Sequence, residues 1–394
     1  MKIQRTLPPV AAPVSPRSLF HGLMALLSGQ DETGKRLEEL KVYFNVRHTF
    51  LVSSGKAALY LILTALKSLS PERRQVVIPA YTCFSVPSAV VKAGLEVVPC
   101  DIDPETFDFD YGELESVLDV QKLCVVPTHL FGMPADMDRI SEICRRKKIL
   151  LVEDAAQAMG GTYRGQKLGT LGDVGFFSLG RGKNITCGAG GIVVTDSDDI
   201  AEAVSREDRK LGPPRFFEEV KDLCTLLLMT AFLHPSLYWL PAGIPSLGLG
   251  QTLFHDDFPV RRLSRMKVAI LKDWRNHLER LNRHRSQMTV SWIARLGLDG
   301  KRKESFPCLR MPVLVDSPSF REKLWSTSAK RGLGISPFYP SPISEISQLR
   351  GLWNGNTFAS AKRVSERLLT FPTHAFVSEK DQDEIMKYWT LCHG

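Results

Sequence analysis

Short apolar runs recur through the first half of this chain, among them TFLVSSG, QVVIPA, LEVVPCDID, LCVVPTHLFG, ILLVEDAAQA, VGFFSL and GIVVTD. Each has the length of a buried strand. Helical patterns separate several of them: KAALYLILTALKSL, SVPSAVVKAG ending at Gly94, and ADMDRISEICRRKK with its acidic start and basic end. Strands alternating with helices predict βαβ units, hence an α/β fold with a mainly parallel sheet between layers of helices. Ligands of such sheets collect beyond the carboxyl ends of the strands. That rule places Ser53–Gly55, Ala80–Thr82, His129 and Asp154 along one edge.

A chain of 394 residues exceeds one simple core and divides in two. The proline-rich start, residues 1–35, reads as an arm, irregular over its first ~20 residues. Residues 36–270 read as a large domain, and Arg262–Arg285 as one long amphipathic helix. The texture then changes to α+β, so residues 271–394 are expected to form a smaller C-terminal domain. Within the large domain, residues 221–250 are strongly apolar. Their run Leu223–Leu233 stops at His234-Pro235, short of the roughly 20 residues that span a bilayer. A helix buried in the core or in a subunit contact is expected; the alternative is attachment to a membrane surface through Tyr238 and Trp239.

The net charge of +8 is spread along the chain and does not indicate nucleic acid. The 8 cysteines include no C-x-x-C pair, so no metal site is expected. With no leader-like pattern at the start, free thiols predict a reducing cytoplasm.

One loop stands out. In GDVGFFSLGRGKNITCGAGGIVVTD, Lys183 lies among glycines between two buried strands. A solvated loop lysine is the plain alternative. Small residues beside it let backbone approach a ligand, however, and Ser178 and the strand-end Asp154 lie nearby. A lysine that attacks a carbonyl needs burial or a cationic neighbour. An aldehyde cofactor held by such a lysine also needs an aspartate on its pyridine nitrogen. A helix N-terminus, here SSGKAAL, suits its phosphate.

The run VEDAAQAMGGTYRGQKLGTLGDVGFFSLGRGKNITCGAGGIVVTD resembles the core signature of the DegT/StrS family. These are pyridoxal-phosphate aminotransferases of nucleotide-linked sugars. The family pattern is E-D-A-A-[HQ], then G-x-x-G-D-x-G-x-F-S-F, K-N and G-x-G-G. VSSGKAALYL, VIPAYTCFSVPSAVVKAG, VVPTHLFGMPADMD and RLLTFPTH resemble flanking family segments. The resemblance covers roughly residues 36–196 well and the C-terminal third loosely. It implies a three-layer αβα fold, PLP-dependent transferase fold type I, and a homodimer with shared active sites. It implies pyridoxal 5'-phosphate as cofactor, Lys183 as its Schiff-base lysine and proton shuttle, and Asp154 as partner of the pyridinium nitrogen. Gln157 would reach the ring hydroxyl and Tyr81 would stack on the ring. Ser178 and the backbone of Gly55, Lys56 and Ala57 would hold the phosphate. Arg181, His129 and Arg262 are candidates for substrate binding. The implied reaction moves an amino group from an amino acid, glutamate foremost, to a keto sugar nucleotide in glycan biosynthesis.

Departures leave alternatives open. Lys56 replaces the family threonine, Ala189 a glutamate and Val260 an asparagine. The apolar stretch stands where sugar-contacting residues would be. A lipid-linked or other non-sugar ketone, or a non-catalytic scaffold, therefore remain as readings. A sugar dehydratase of the family would carry histidine at Lys183.

Overall fold

A computed structural model describes residues 4–298, 306–349, 353 and 357–393. Its central sheet has 7 strands in the order β1-β7-β6-β5-β4-β2-β3. They are β1 (His48–Val52), β2 (Gln75–Pro79), β3 (Glu96–Cys100), β4 (Lys122–Val125), β5 (Leu150–Asp154), β6 (Val174–Ser178) and β7 (Gly191–Thr195). Pairing is parallel from β3 through β2, β4 and β5 to β6, whereas β7 runs antiparallel between β6 and β1. The sheet is mainly parallel, as the apolar runs predict.

Alternation along each strand feeds two cores. Val76, Ile78, Val152, Phe176 and Val193 face one side. There they meet α3 (Gly55–Leu69), α4 (Ser85–Lys92) and α6 (Asp198–Arg209). Neighbouring Val77, Leu151, Phe177, Ile192 and Val194 face the other side. That side is covered by α1 (Pro16–Ser28), α2 (Thr33–Phe44), α5 (Met137–Lys147), α8 (Arg265–Ile270) and α9 (Trp274–Arg295). Strands buried on both faces explain why these runs are apolar throughout.

Two helices differ from expectation. The first 35 residues include α1, whose start is set by Ser15 accepting from the Ser18 N–H at 3.0 Å ahead of Pro16. The stretch 262–285 is broken into α8 and α9. The buried Arg36 takes the Lys272 carbonyl at 2.8 Å in the break, which replaces a helical bond there.

The C-terminal part holds an antiparallel pair, β8 (Arg310–Leu314) and β9 (Leu368–Pro372). A cluster around Trp292, Met311, Leu324 and Phe371 packs this pair between α9, α10 (Pro318–Arg331) and α12 (Glu379–His393); α11 (Ala359–Arg367) leads into β9. Leu7 of the N-terminal arm joins that cluster. In the apolar segment, α7 (Phe216–Phe232) buries Leu223 and Leu226 but leaves Phe216, Phe217 and Leu228 exposed. Among the described residues no helix is long and apolar enough to cross a membrane.

Candidate active site

Asp154 ends β5 between β4 and β6, so its side chain leaves the sheet at the carboxyl edge. The next residue back, Glu153, points to the opposite face. Both are buried. Glu153 accepts from the Gly169 N–H at 2.8 Å, the Gly172 N–H at 2.7 Å and the Leu171 N–H. His129 Nε2 also donates to it at 2.9 Å, and His129 Nδ1 accepts from the Ala135 N–H at 3.1 Å. Those two bonds settle the tautomer and occupy both ring nitrogens. His129 is thus a buried brace rather than a group turned to a substrate, because Glu153 on the hidden face claims it.

The Asp154 carboxyl has no such cage. It accepts the Ala156 N–H at 3.0 Å and forms no ion pair among the described residues. Burial pushes its pKa up, while the Ala156 N–H, the nearby Lys183 charge and a hydrogen bond from the Thr128 side chain pull it back down. Lys183, half-buried, lies on the loop between β6 and β7, where its N–H donates to the Gly180 carbonyl at 3.3 Å. A methyl at Gly180 would lie 4.0 Å from Lys183 Cγ and 3.2 Å from Ser178 Oγ. Lys183 and Ser178 thus meet at Gly180, and the Lys183 charge reaches Asp154 without an ion pair among the described residues.

The N-terminus of α3 abuts the same serine. Ser54 caps the helix by accepting from the Ala57 N–H at 3.0 Å. The Ala57 N–H, expected to face a phosphate, is spent on this cap, whereas those of Gly55 and Lys56 precede the first helical bonds. A Cβ on Gly55 would meet Ser178 Cβ at 2.7 Å, so only glycine lets the helix end approach the serine. The Lys56 ammonium turns aside. It sits 4.3 Å from the Phe258 ring centre and 3.5 Å from the His255 carbonyl, and burial lowers its pKa.

The remaining wall was only partly foreseen. Tyr81, just past β2, is 1% exposed; its hydroxyl donates to the Tyr339 carbonyl at 3.3 Å and accepts from the Tyr339 N–H at 3.2 Å. Gln157 accepts from the Phe131 N–H at 3.1 Å and donates to the Tyr339 hydroxyl at 2.9 Å. Tyr339 is absent from the sequence reading, although the aromatic pair in SPFYPSP, rigid between prolines, is a signal for it. Burial, with Cys83 and Asp154 nearby, pushes its phenol well above the ordinary range. Behind it, Arg310 donates to Ser336 Oγ at 3.0 Å and Thr370 Oγ1 at 3.4 Å, and faces no carboxylate among the described residues. Burial lowers that guanidinium to about 10, with Tyr238 and Tyr339 acting the other way. Tyr238 brings the apolar segment to this wall.

Two candidate cations stay outside. Arg181 is exposed at the loop tip. Arg262, also exposed, turns to Asp208, with Nε 3.7 Å from Oδ2.

The chemistry of these residues fits pyridoxal 5'-phosphate. A buried carboxylate lacking a cationic partner suits a protonated ring nitrogen, and the glycine-lined helix end beside Ser178 suits a phosphate. Lys183 is near both Ser178 and Asp154.

Residues 25–212 match the DegT/DnrJ/EryC1/StrS aminotransferase family. Over 159 residues the chain is 40% identical to GDP-perosamine synthase of Caulobacter vibrioides, covering 40% of this chain and 42% of that protein. The chain therefore matches less than half the length of this curated relative. Helicobacter pylori PseC, an aminotransferase involved in the biosynthesis of pseudoaminic acid, superposes with a TM-score of 0.78 at 16% identity, over 100% of this chain and 99% of that one. The PLP-form of the putative sugar aminotransferase Spr1654 from Streptococcus pneumoniae superposes with a TM-score of 0.76 at 21% identity, over 98% and 99%. The fold is that of these enzymes.

Proposed function

Starting from the match of residues 25–212 to the DegT/DnrJ/EryC1/StrS aminotransferase family, we propose that this chain is a pyridoxal-phosphate-dependent transaminase. It would move an amino group from an amino acid, glutamate foremost, to a ketone on a nucleotide-linked sugar, in glycan biosynthesis. The observation that carries the reading is the Asp154 carboxylate, buried and without an ion-pair partner among the described residues, close enough to Lys183 to feel its charge. The sugar nucleotide is supported by the name of the Caulobacter vibrioides relative, GDP-perosamine synthase.

When bound, the cofactor supplies an aldehyde for the amino group and a ring that draws electrons from the reacting carbon. The protein does the rest. Asp154 holds a proton on the ring nitrogen. Ser178 and the N–H groups of Gly55 and Lys56 bind the phosphate, where the α3 dipole adds to the attraction. Tyr81 would hold the cofactor ring. Lys183 would bind the cofactor's aldehyde through its amine and would serve as the base for the proton on the amino donor's α-carbon. Arg310 is a cation for an acidic substrate group, a role sequence reading gave to Arg181 and Arg262. The working unit we propose is a homodimer in a reducing cytoplasm, consistent with 8 free cysteines of which only Cys224 is exposed.

The test mixes purified protein with pyridoxal 5'-phosphate and reads visible absorbance. A band present in the wild type and lost in Lys183→Ala is expected. Release of 2-oxoglutarate from glutamate that continues only with a keto sugar nucleotide is expected next. A colourless wild-type protein overturns the reading; colour without turnover on a panel of keto sugar nucleotides leaves a cofactor-binding scaffold.

A further inference from the structure

Arg285 of α9 is 1% exposed and meets no carboxylate among the described residues. Its donors go to backbone and amide oxygens instead. Nη1 reaches the Asn184 carbonyl at 2.8 Å and Asn282 Oδ1 at 3.1 Å; Nη2 reaches the Lys183 carbonyl at 3.3 Å and the Ala11 carbonyl at 3.4 Å. Burial lowers the guanidinium to about 9, so it is still charged at neutral pH. A buried cation is costly unless its hydrogen bonds are met, and here they are met only where three distant segments converge.

The arm has a second hold on the same loop. Gly182 has φ +68°, and a Cβ there would lie 2.6 Å from Val10 Cγ1. The arm is itself anchored, since the buried His374 donates from Nε2 to the Pro8 carbonyl at 2.7 Å. The Arg5 guanidinium also pairs with Asp381 at 2.8 Å.

We propose that Arg285 is a positioning residue for Lys183, and that the N-terminal arm is the other half of the same clamp. The planar fork fixes the spacing between the Lys183, Asn184 and Ala11 carbonyls at once. Val10 presses the Gly182 turn onto that frame. Lys183 Nζ is thereby aimed by groups that touch neither substrate nor cofactor. The inference rests on Lys183 being the reacting amine.

Two variants of the full chain test it, Arg285→Lys and Val10→Gly, with amide exchange of Lys183 and Cys187 read first without pyridoxal 5'-phosphate. Each variant is expected to speed both amides about tenfold or more, and the double variant to add little to the larger single effect. In the loaded enzyme, kcat should fall about a hundredfold, with KM for glutamate nearly unchanged. Unchanged exchange in Val10→Gly, or effects that simply multiply in the double variant, overturn the clamp. Should Arg285→Lys fail to fold, Val10→Gly decides alone. Exchange is read without cofactor, so a colourless protein would sink the transaminase reading and leave the clamp to be judged on exchange.

Discussion

The Gln157 amide spans two groups that lie far apart in the chain: its Oε1 accepts from the Phe131 N–H and its Nε2 donates to the Tyr339 hydroxyl at 2.9 Å. One side chain from the β5 edge thus ties the loop after β4 to the C-terminal part of the molecule.

Tyr339→Phe should leave the Gln157 NH₂ without this acceptor in a buried place. A loss of about 1–3 kcal/mol in urea unfolding of the cofactor-free protein is expected, with weaker binding of pyridoxal 5'-phosphate. Wild-type stability and affinity together would show that the bond is incidental.

Asp154→Asn should separate stability from activity. Because burial raises the folded pKa of this acid, the native state holds its proton more tightly than the unfolded chain. The contribution to stability is therefore full below the ordinary carboxylate value and is lost as pH rises through the raised one. The cofactor-free Asn variant should melt about 2 °C or more above wild type at pH 7, with the gap closing towards pH 3. Turnover should fall at least about a hundredfold. A melting difference that does not change with pH would contradict the assignment.

Glu153→Gln replaces an acceptor of four donors by an amide that can satisfy only part of them. Unfolding free energy should drop by about 2–4 kcal/mol, since the loop at Gly169–Gly172 and His129 both lose their anchor. Near wild-type stability would mean that water takes over these bonds.

Gly55→Ala would drive a methyl into Ser178 Cβ, 2.7 Å away. The α3 end must then retreat, and the dissociation constant for pyridoxal 5'-phosphate should rise about tenfold or more, with far-UV circular dichroism unchanged. Unaltered affinity would remove the phosphate from this helix end.

If Arg310 binds an acidic substrate group, Arg310→Gln should raise KM for that anionic substrate by about tenfold or more, as expected when a charge-assisted bond is lost. Varying glutamate and the sugar nucleotide separately identifies which one. Unchanged KM for both would take Arg310 out of the site.

The sequence by itself determined the layered α/β plan and the places of Asp154, Ser178 and Lys183. Strand alternation, apolar runs and the glycine-rich turn act over a few residues, so they can be read along the chain. The partners of buried polar groups cannot. Gln157 and Tyr339 are 182 positions apart, and Arg285 and Ala11 are 274 apart. Nothing local marks Arg285 as a clamp rather than a surface arginine, or shows that His129 belongs to Glu153. Only the packing of distant segments decided which carbonyls meet a buried charge, because desolvation makes such a group depend on whatever surrounds it in space.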